Sequence, residues 1–231
     1  MFSVGAHYGF SKRRRHPSVS PYVLGVKNKT EIFDLEKTNV LLEDAKEYVK
    51  TLASQGKTIL FVGSKYEARE AVKEGAERID MPYVIERWIG GTLTNFPEIK
   101  KRIQKLLDLH EQKEKGELGK YTKHERLMID RDVERLERRY GGLKTLQAPP
   151  NAIFIVDPHR EYIAVDEALQ LDIPIIALAS TDCDISRTQY PVVGNDASIA
   201  SISFFIEEIV NTYKENKVAV PKKEETTEQE K

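Results

Sequence analysis

Hydrophobic positions along the chain follow two different periods. Three continuous apolar runs have the length of strands buried on both faces: Thr58-Ile59-Leu60-Phe61-Val62, Ala152-Ile153-Phe154-Ile155-Val156 and Ile173-Pro174-Ile175-Ile176-Ala177-Leu178. Around them apolar residues recur at helical spacing. One set is Val40, Leu41, Ala45, Tyr48, Val49 and Leu52, with Thr38 as the expected N-cap and Gly56 as the stop. Further sets are Ala68, Ala71, Val72, Ala76 and Ile79, then Ala164, Val165, Ala168 and Leu169 from about Glu161, then Ile199, Ile202, Phe205, Ile206 and Ile209. Tyr83-Val84-Ile85 and Val192-Val193 are shorter strand candidates, the second at an edge. Apolar segments at Tyr22-Val23-Leu24 and Ile32-Phe33 flank the polar Lys27-Asn28-Lys29 and predict a short hairpin leading into the core. Strands alternating with helices predict an α/β fold: a flavodoxin-like or Rossmann-like three-layer core around a parallel sheet.

From Pro97 to about Tyr140 this rhythm stops. Ile99, Ile103, Leu106 and His110 form a narrow stripe, as do Ile129, Val133, Leu136 and Tyr140, with charged residues between and Gly116 and Gly119 at the turn. Such a pattern predicts an inserted antiparallel α-helical coiled-coil hairpin, projecting because the core could not cover so narrow a stripe on both arms. The expected division is residues 1–29 as basic arm and hairpin start, 30–96 with 141–215 as α/β core, 97–140 as insertion, and the Lys/Glu/Thr-rich 216–231 as a disordered tail. The stretch from Arg87 to Phe96 holds the single tryptophan and a Gly-Gly pair, too Gly-rich for a helix and too apolar for a free linker. It reads as a structural joint built from Trp88, Gly90, Gly91 and Asn95. Trp88 should be buried, both glycines should take conformations that a side chain would oppose, and Pro97 should occupy the first helical turn.

Charge changes the picture through its distribution. The 231 residues carry 36 Lys and Arg against 37 Asp and Glu, a net charge of -1 that announces no nucleic-acid partner. Yet Lys12, Arg13, Arg14, Arg15, Lys27 and Lys29 all precede Glu31, the first acidic residue. A solvated charge run is the ordinary reading. Here Tyr8, Phe10 and Tyr22 interleave aromatic rings, while Gly5, Gly9, Pro17 and Pro21 make the segment poorly helical. That combination suits structured RNA, and Lys12, Arg13, Arg14, Arg15, His16, Lys27 and Lys29 are the candidate RNA-binding residues. The single cysteine, Cys183, excludes an intramolecular disulfide and a Cys-based zinc cage. No apolar run approaches the ~18 residues of a membrane span, and the start lacks a signal peptide. A cytoplasmic protein is expected, with a processed organellar one left open.

An enzyme is the competing reading. Gly63-Ser64-Lys65 follows a strand and opens a helix, where phosphate could bind, but neither G-x-G-x-x-G nor G-x-x-x-x-G-K-[ST] is present. Asp157-Pro158-His159-Arg160 lies at a strand end, and Asp182, Asp184 and Asp196 could gather near it as an acid/base set or a cation site. Nothing supplies a nucleophile or substrate cradle. Asp157 as a helix cap, with His159 and Arg160 in the first turn, is the plainer reading. No cofactor and no metal are expected; a small-molecule-binding α/β enzyme with a carboxylate-lined site stays as the alternative.

Several motifs, in order, resemble the bacterial-type S-two family of small-ribosomal-subunit proteins. Val4-Gly5-Ala6-His7-Tyr8-Gly9 resembles the opening VGxHFGH, and Lys12 to Pro17 its basic stretch. Ile32 to Thr38 is similar to IIDLxKT, and Leu60-Phe61-Val62-Gly63-Ser64-Lys65 to LFVGTK. The run from Arg87 to Asn95 resembles RWxGGxLTN, Tyr121 to Glu125 LTKKE, Gly141-Gly142-Leu143 GGI, and Gly194-Asn195-Asp196 GNDD. Phe10 stands where the opening has a second His, the loop Ser180 to Ile185 departs from DTNxDP, and Ala197 replaces the last Asp of GNDD. The resemblance implies a non-enzymatic ribosomal protein with a flavodoxin-like domain and a protruding coiled-coil hairpin. It also implies contact with small-subunit rRNA where head meets body, with neighbouring ribosomal proteins and the large S-one protein close by.

Overall fold

A computed structural model describes residues 1–217, with 117 and 120 described by backbone alone. The expected tail from 218 onward lies outside the described residues. The strands are β1 (Tyr8–Ser11), β2 (Val23–Lys27), β3 (Thr30–Phe33), β4 (Ile59–Val62), β5 (Tyr83–Val84), β6 (Ala152–Val156), β7 (Ile175–Ala179) and β8 (Tyr190–Val193). The α-helices are α1 (Leu35–Ser54), α2 (Tyr66–Glu77), α3 (Phe96–Glu114), α4 (Lys123–Tyr140), α5 (Tyr162–Gln170) and α6 (Ile199–Asn216).

Five strands form a parallel sheet in the order β5-β4-β6-β7-β8. That is the order of a flavodoxin-like sheet, with its reversal between β4 and β6. Alternate side chains serve opposite faces. Ile59, Phe61, Phe154, Ile176 and Leu178 pack against the apolar stripes of α1, α2 and α6. Leu60, Val62, Ile153, Ile155 and Ala177 pack with Ala164, Val165 and Ala168 of α5 and with Trp88 and Leu93. Both faces are therefore covered, which is why these strands read as unbroken apolar runs.

Helix α1 starts earlier than its apolar spacing predicted. Asp34 is its N-cap, accepting the Glu36 N–H at 3.1 Å, while Thr38 lies inside the helix. Thr38 is fully buried and donates its hydroxyl to the Val193 carbonyl at 2.8 Å, tying α1 to β8. Both residue types cap well, and the tertiary bond decided between them.

The basic arm is poorly helical, as its glycines and prolines suggest, with short 3-10 turns at Phe2–Val4, Lys12–Arg14 and Pro17–Tyr22, but it also contains a strand. Tyr8 pairs with Ile32 and Ser11 with Thr30, so β1 joins β2 and β3 in a three-stranded antiparallel sheet ordered β1-β3-β2. Four residues have no strand periodicity of their own to display; a distant partner supplies their conformation.

Helices α3 and α4 turn back on each other through a short 3-10 turn after Gly116, which has φ of 70°. Thr122 and Glu125 form a reciprocal capping box at the start of α4. The seam holds Ile99, Ile103 and Leu106 against Val133, Leu136 and Tyr140, with Lys113 paired to Asp130 at 2.8 Å and His110 to Glu137 at 3.0 Å. At its root the seam is not left to itself. Its residues continue into the same buried cluster as Leu60, Val62 and Trp88, through Leu93, Leu143 and Leu146. Gly142 permits this junction: a Cβ there would stand 2.3 Å from the Tyr83 carbonyl oxygen of β5.

Candidate nucleic-acid interface

The hairpin of β2 and β3 closes through Asn28 and Lys29, both left-handed at φ of 51° and 66°. That is the two-residue turn whose twist suits antiparallel strands, and a lysine holds a position that usually favours glycine. It places Lys29 beside the end of β1. Lys12, Arg13, Arg14, Lys27 and Lys29 are exposed, and an open groove is lined by Ser11, Lys12, Arg13, Val26 and Lys29. Strand pairing thus gathers two basic clusters separated in sequence onto one end of the small sheet.

Arg15 and His16 face the protein instead. The Arg15 guanidinium lies 3.1 Å from Glu31, whose side chain is wholly buried. His16 Nδ1 is 2.8 Å from the Ser18 hydroxyl and its N–H donates to the Thr181 carbonyl at 2.8 Å. The arm is further clamped onto the carboxyl end of the large sheet. The Phe10 N–H donates to Thr181 Oγ1 at 2.9 Å, and the Asn195 amide donates to the Gly5 carbonyl at 2.9 Å. Arg14 and Lys65 both lie over the Phe10 ring, 5.6 Å and 5.7 Å from its centroid. Glu31 was missed in the sequence, yet it shares a strand face with buried Phe33, and an acid in phase with a core aromatic is a readable signal.

The joint has a buried organiser. Trp88 is 4% exposed and Gly91 has φ of 88°, whereas Gly90 has ordinary backbone and open space where a Cβ would go. The expectation for Gly90 is thus corrected; Gly91 alone takes up the reversal. Asn95 sits at the N-cap of α3 without a side-chain cap bond, and Pro97 lies in the first turn. Glu167 of α5 holds the whole loop. Its Oε1 accepts from Trp88 Nε1 at 3.1 Å and the Gly91 N–H at 2.7 Å; its Oε2 accepts from the N–H groups of Leu93 at 2.9 Å and Thr94 at 3.2 Å. Burial alone would raise its pKa, but the Leu93, Trp88, Gly91 and Thr94 donors together outweigh that and lower it. Glu167 falls within the apolar stripe of Ala164, Val165 and Ala168, which was the available clue.

At the sheet reversal, where α/β folds take ligands, the charged groups pair with one another, and among the described residues only Oδ1 of Asp196 is buried there without a hydrogen-bond partner. Lys65 Nζ lies 3.2 Å from Asp157 and 3.1 Å from the wholly buried Asp196. Glu161 accepts the Ser64 N–H at 3.0 Å and also bonds the Ser64 hydroxyl. A carboxylate of the chain itself thus fills the anion position at the start of α2. A Cβ on Gly63 would meet Val72 at 2.9 Å, so that glycine serves strand–helix packing rather than phosphate approach. Burial, then the Asp157 charge, push Asp196 up to about 7 against the pull of Lys65.

Asp157 has a left-handed backbone and caps a turn through the Arg160 N–H at 3.0 Å; Glu161 is the N-cap of α5, so His159 and Arg160 precede the helix rather than open it. Asp184 caps a separate 3-10 turn through Ser186. Asp182 lies close enough to Asp196 for its charge to act on it, whereas Asp184 is engaged in its own turn, and no metal-binding cluster occurs among the described residues.

The chain is similar in sequence to known proteins. The family described as Ribosomal protein S2 matches residues 1–216. A "Small ribosomal subunit protein uS2" of Roseiflexus castenholzii is 42% identical over 211 residues, covering 91% of this chain and 80% of that protein. The protein of the same name from Nitratiruptor sp. is 42% identical over 217 residues, covering 94% and 81%. That of Acidothermus cellulolyticus is 41% identical over 220 residues, covering 95% and 80%.

Proposed function

This chain belongs to the ribosomal protein S2 family, and we propose that its basic arm and β2–β3 turn anchor it to rRNA in the small ribosomal subunit. It is a structural constituent of that subunit, not an enzyme. It associates with rRNA and with other ribosomal proteins, and no described helix is long and apolar enough to cross a membrane. The observation that carries the anchor is the gathering of Lys12, Arg13, Arg14, Lys27 and Lys29 at one end of the small sheet, exposed. Arg15 and His16 hold that surface in place from behind, within reach of the same RNA.

The site lies near the head–body junction in this reading, with the S-one protein as a neighbour and the cytoplasm as the compartment. Residues 97–140 act as an inserted coiled-coil hairpin that extends the protein's reach from the α/β core. Replacing Lys12, Arg13 and Arg14 together by Gln tests the anchor. Its occupancy in purified small subunits at raised salt should fall severalfold, because each lost phosphate contact steepens competition by counterions. Unchanged occupancy, measured by quantitative mass spectrometry, would overturn it.

A further inference from the structure

A second cationic surface lies away from the arm, beyond the edge strand β5. Its groove is lined by Glu86, Arg87, Trp88, Ile89, Gly90, Arg138 and Arg139. Arg87, Arg138 and Arg139 are exposed and form no ion pair among the described residues; Glu86, the only acid lining the groove, is already engaged by Arg69 at 3.4 Å. Arg138 and Arg139 lie in the last turn of α4, where the helix dipole favours cations. That accounts for two of the three. Arg87 comes from the joint, on another element, and the dipole does not explain it.

Gly90 is the second, independent observation. Its φ is not left-handed and a Cβ would touch nothing within 4 Å, so neither conformation nor packing inside the chain requires glycine. Gly25 and Gly119 share this openness, but they lie in a strand bulge and a helix-connecting turn. Gly90 borders unpaired guanidinium groups. Glycine on such a rim is what close approach by an external backbone requires.

We propose that the Arg87–Gly90 rim with Arg138 and Arg139 is a second rRNA phosphate-backbone site, separate from the arm. Planar guanidinium forks suit phosphate oxygens. The groove offers no exposed aromatic for base stacking, since Trp88 is buried, so it reads backbone and not sequence. The proposal rests on the assignment to the small subunit.

The test uses the full chain rebinding to small subunits depleted of it, with affinity followed against salt and rRNA protection read by hydroxyl-radical footprinting. Replacing Arg87, Arg138 and Arg139 together by Gln should lower affinity at least tenfold and the logarithmic salt slope by about 2–3, at roughly 0.7–0.9 per contact. Gly90→Leu should lower affinity severalfold with an unchanged slope, because it obstructs without removing charge. Both should erase a set of rRNA protections different from those lost in the Lys12, Arg13, Arg14 variant, and both should unfold at the wild-type temperature. Unchanged affinity would overturn the inference, as would lowered affinity with every rRNA protection intact, which would put a protein in the groove. If the rim variant binds normally while the arm variant does not, the inference fails and the proposed function stands. If neither loses binding, the proposed anchor fails as well.

Discussion

At the reversal between β4 and β6, Lys65 sits between Asp157 and Asp196, and Glu161 closes on Ser64. Around the arm, Lys12, Arg13, Arg14, Lys27 and Lys29 stand exposed. The two regions lie at neighbouring ends of the two sheets, and Phe10 bridges them. They differ in where their charges find partners. A buried charge must be satisfied within the fold, because desolvation is otherwise too costly. An exposed cation run is left for something outside. The difference teaches that this α/β protein fills the crevice at its sheet reversal with its own ion pairs and leaves the cations of its arm facing outward.

The comparison breaks hardest at the joint. Glu167→Ala would strand the Trp88 indole N–H and the N–H groups of Gly91, Leu93 and Thr94 together. A loss of about 3–5 kcal/mol is expected, read by urea unfolding, since each buried unsatisfied donor costs about 1–3 kcal/mol and the loop will relax in part. A loss below about 1 kcal/mol would mean that the joint does not depend on this carboxylate.

Arg15→Ala should cost about 2 kcal/mol, less than a fully buried pair because its side chain is 29% exposed, yet it leaves Glu31 buried without its cation. By contrast, Ala at Lys12, Arg13 and Arg14 together should change stability by less than about 0.5 kcal/mol while weakening subunit binding. Equal thermal shifts for the two variants would erase the distinction between structural and outward cations.

The crevice makes a ligand prediction as well. Titration with NAD, FMN or ATP should give no binding at micromolar concentrations, because Glu161 already holds the Ser64 N–H that a phosphate would need. Calorimetric binding abolished by a bulky residue at Gly63 would reopen the crevice as a ligand site.

A pH slope tests the crevice side of the comparison. With Asp196 raised to about 7 in the folded state and at its ordinary 3.8 when unfolded, the native form binds the proton more tightly. Stability should therefore decline as pH rises from 3.8 to about 7, and Asp196→Asn should flatten that decline. A wild-type melting temperature independent of pH across this window would contradict it.

Much of this was legible in the residues. Continuous apolar runs gave the buried strands, since a strand covered on both faces has no polar phase to show. The paired stripes at 99–110 and 129–140 marked two helices facing each other. What stayed illegible depended on partners far away in sequence. Glu167 meets a loop more than 70 residues earlier, and Thr181 receives the Phe10 N–H across 171 positions.

Local periodicity and composition determined the element types, the α/β class and the basic character of the first 29 residues. Tertiary structure alone decided which of four consecutive cations face outward, which carboxylate holds the joint, and that Tyr8–Ser11 of the arm form a strand. Periodicity is a property of neighbouring residues. Charge burial and strand pairing are settled only when distant segments meet, and the cost of an unpaired buried charge then fixes each group's role.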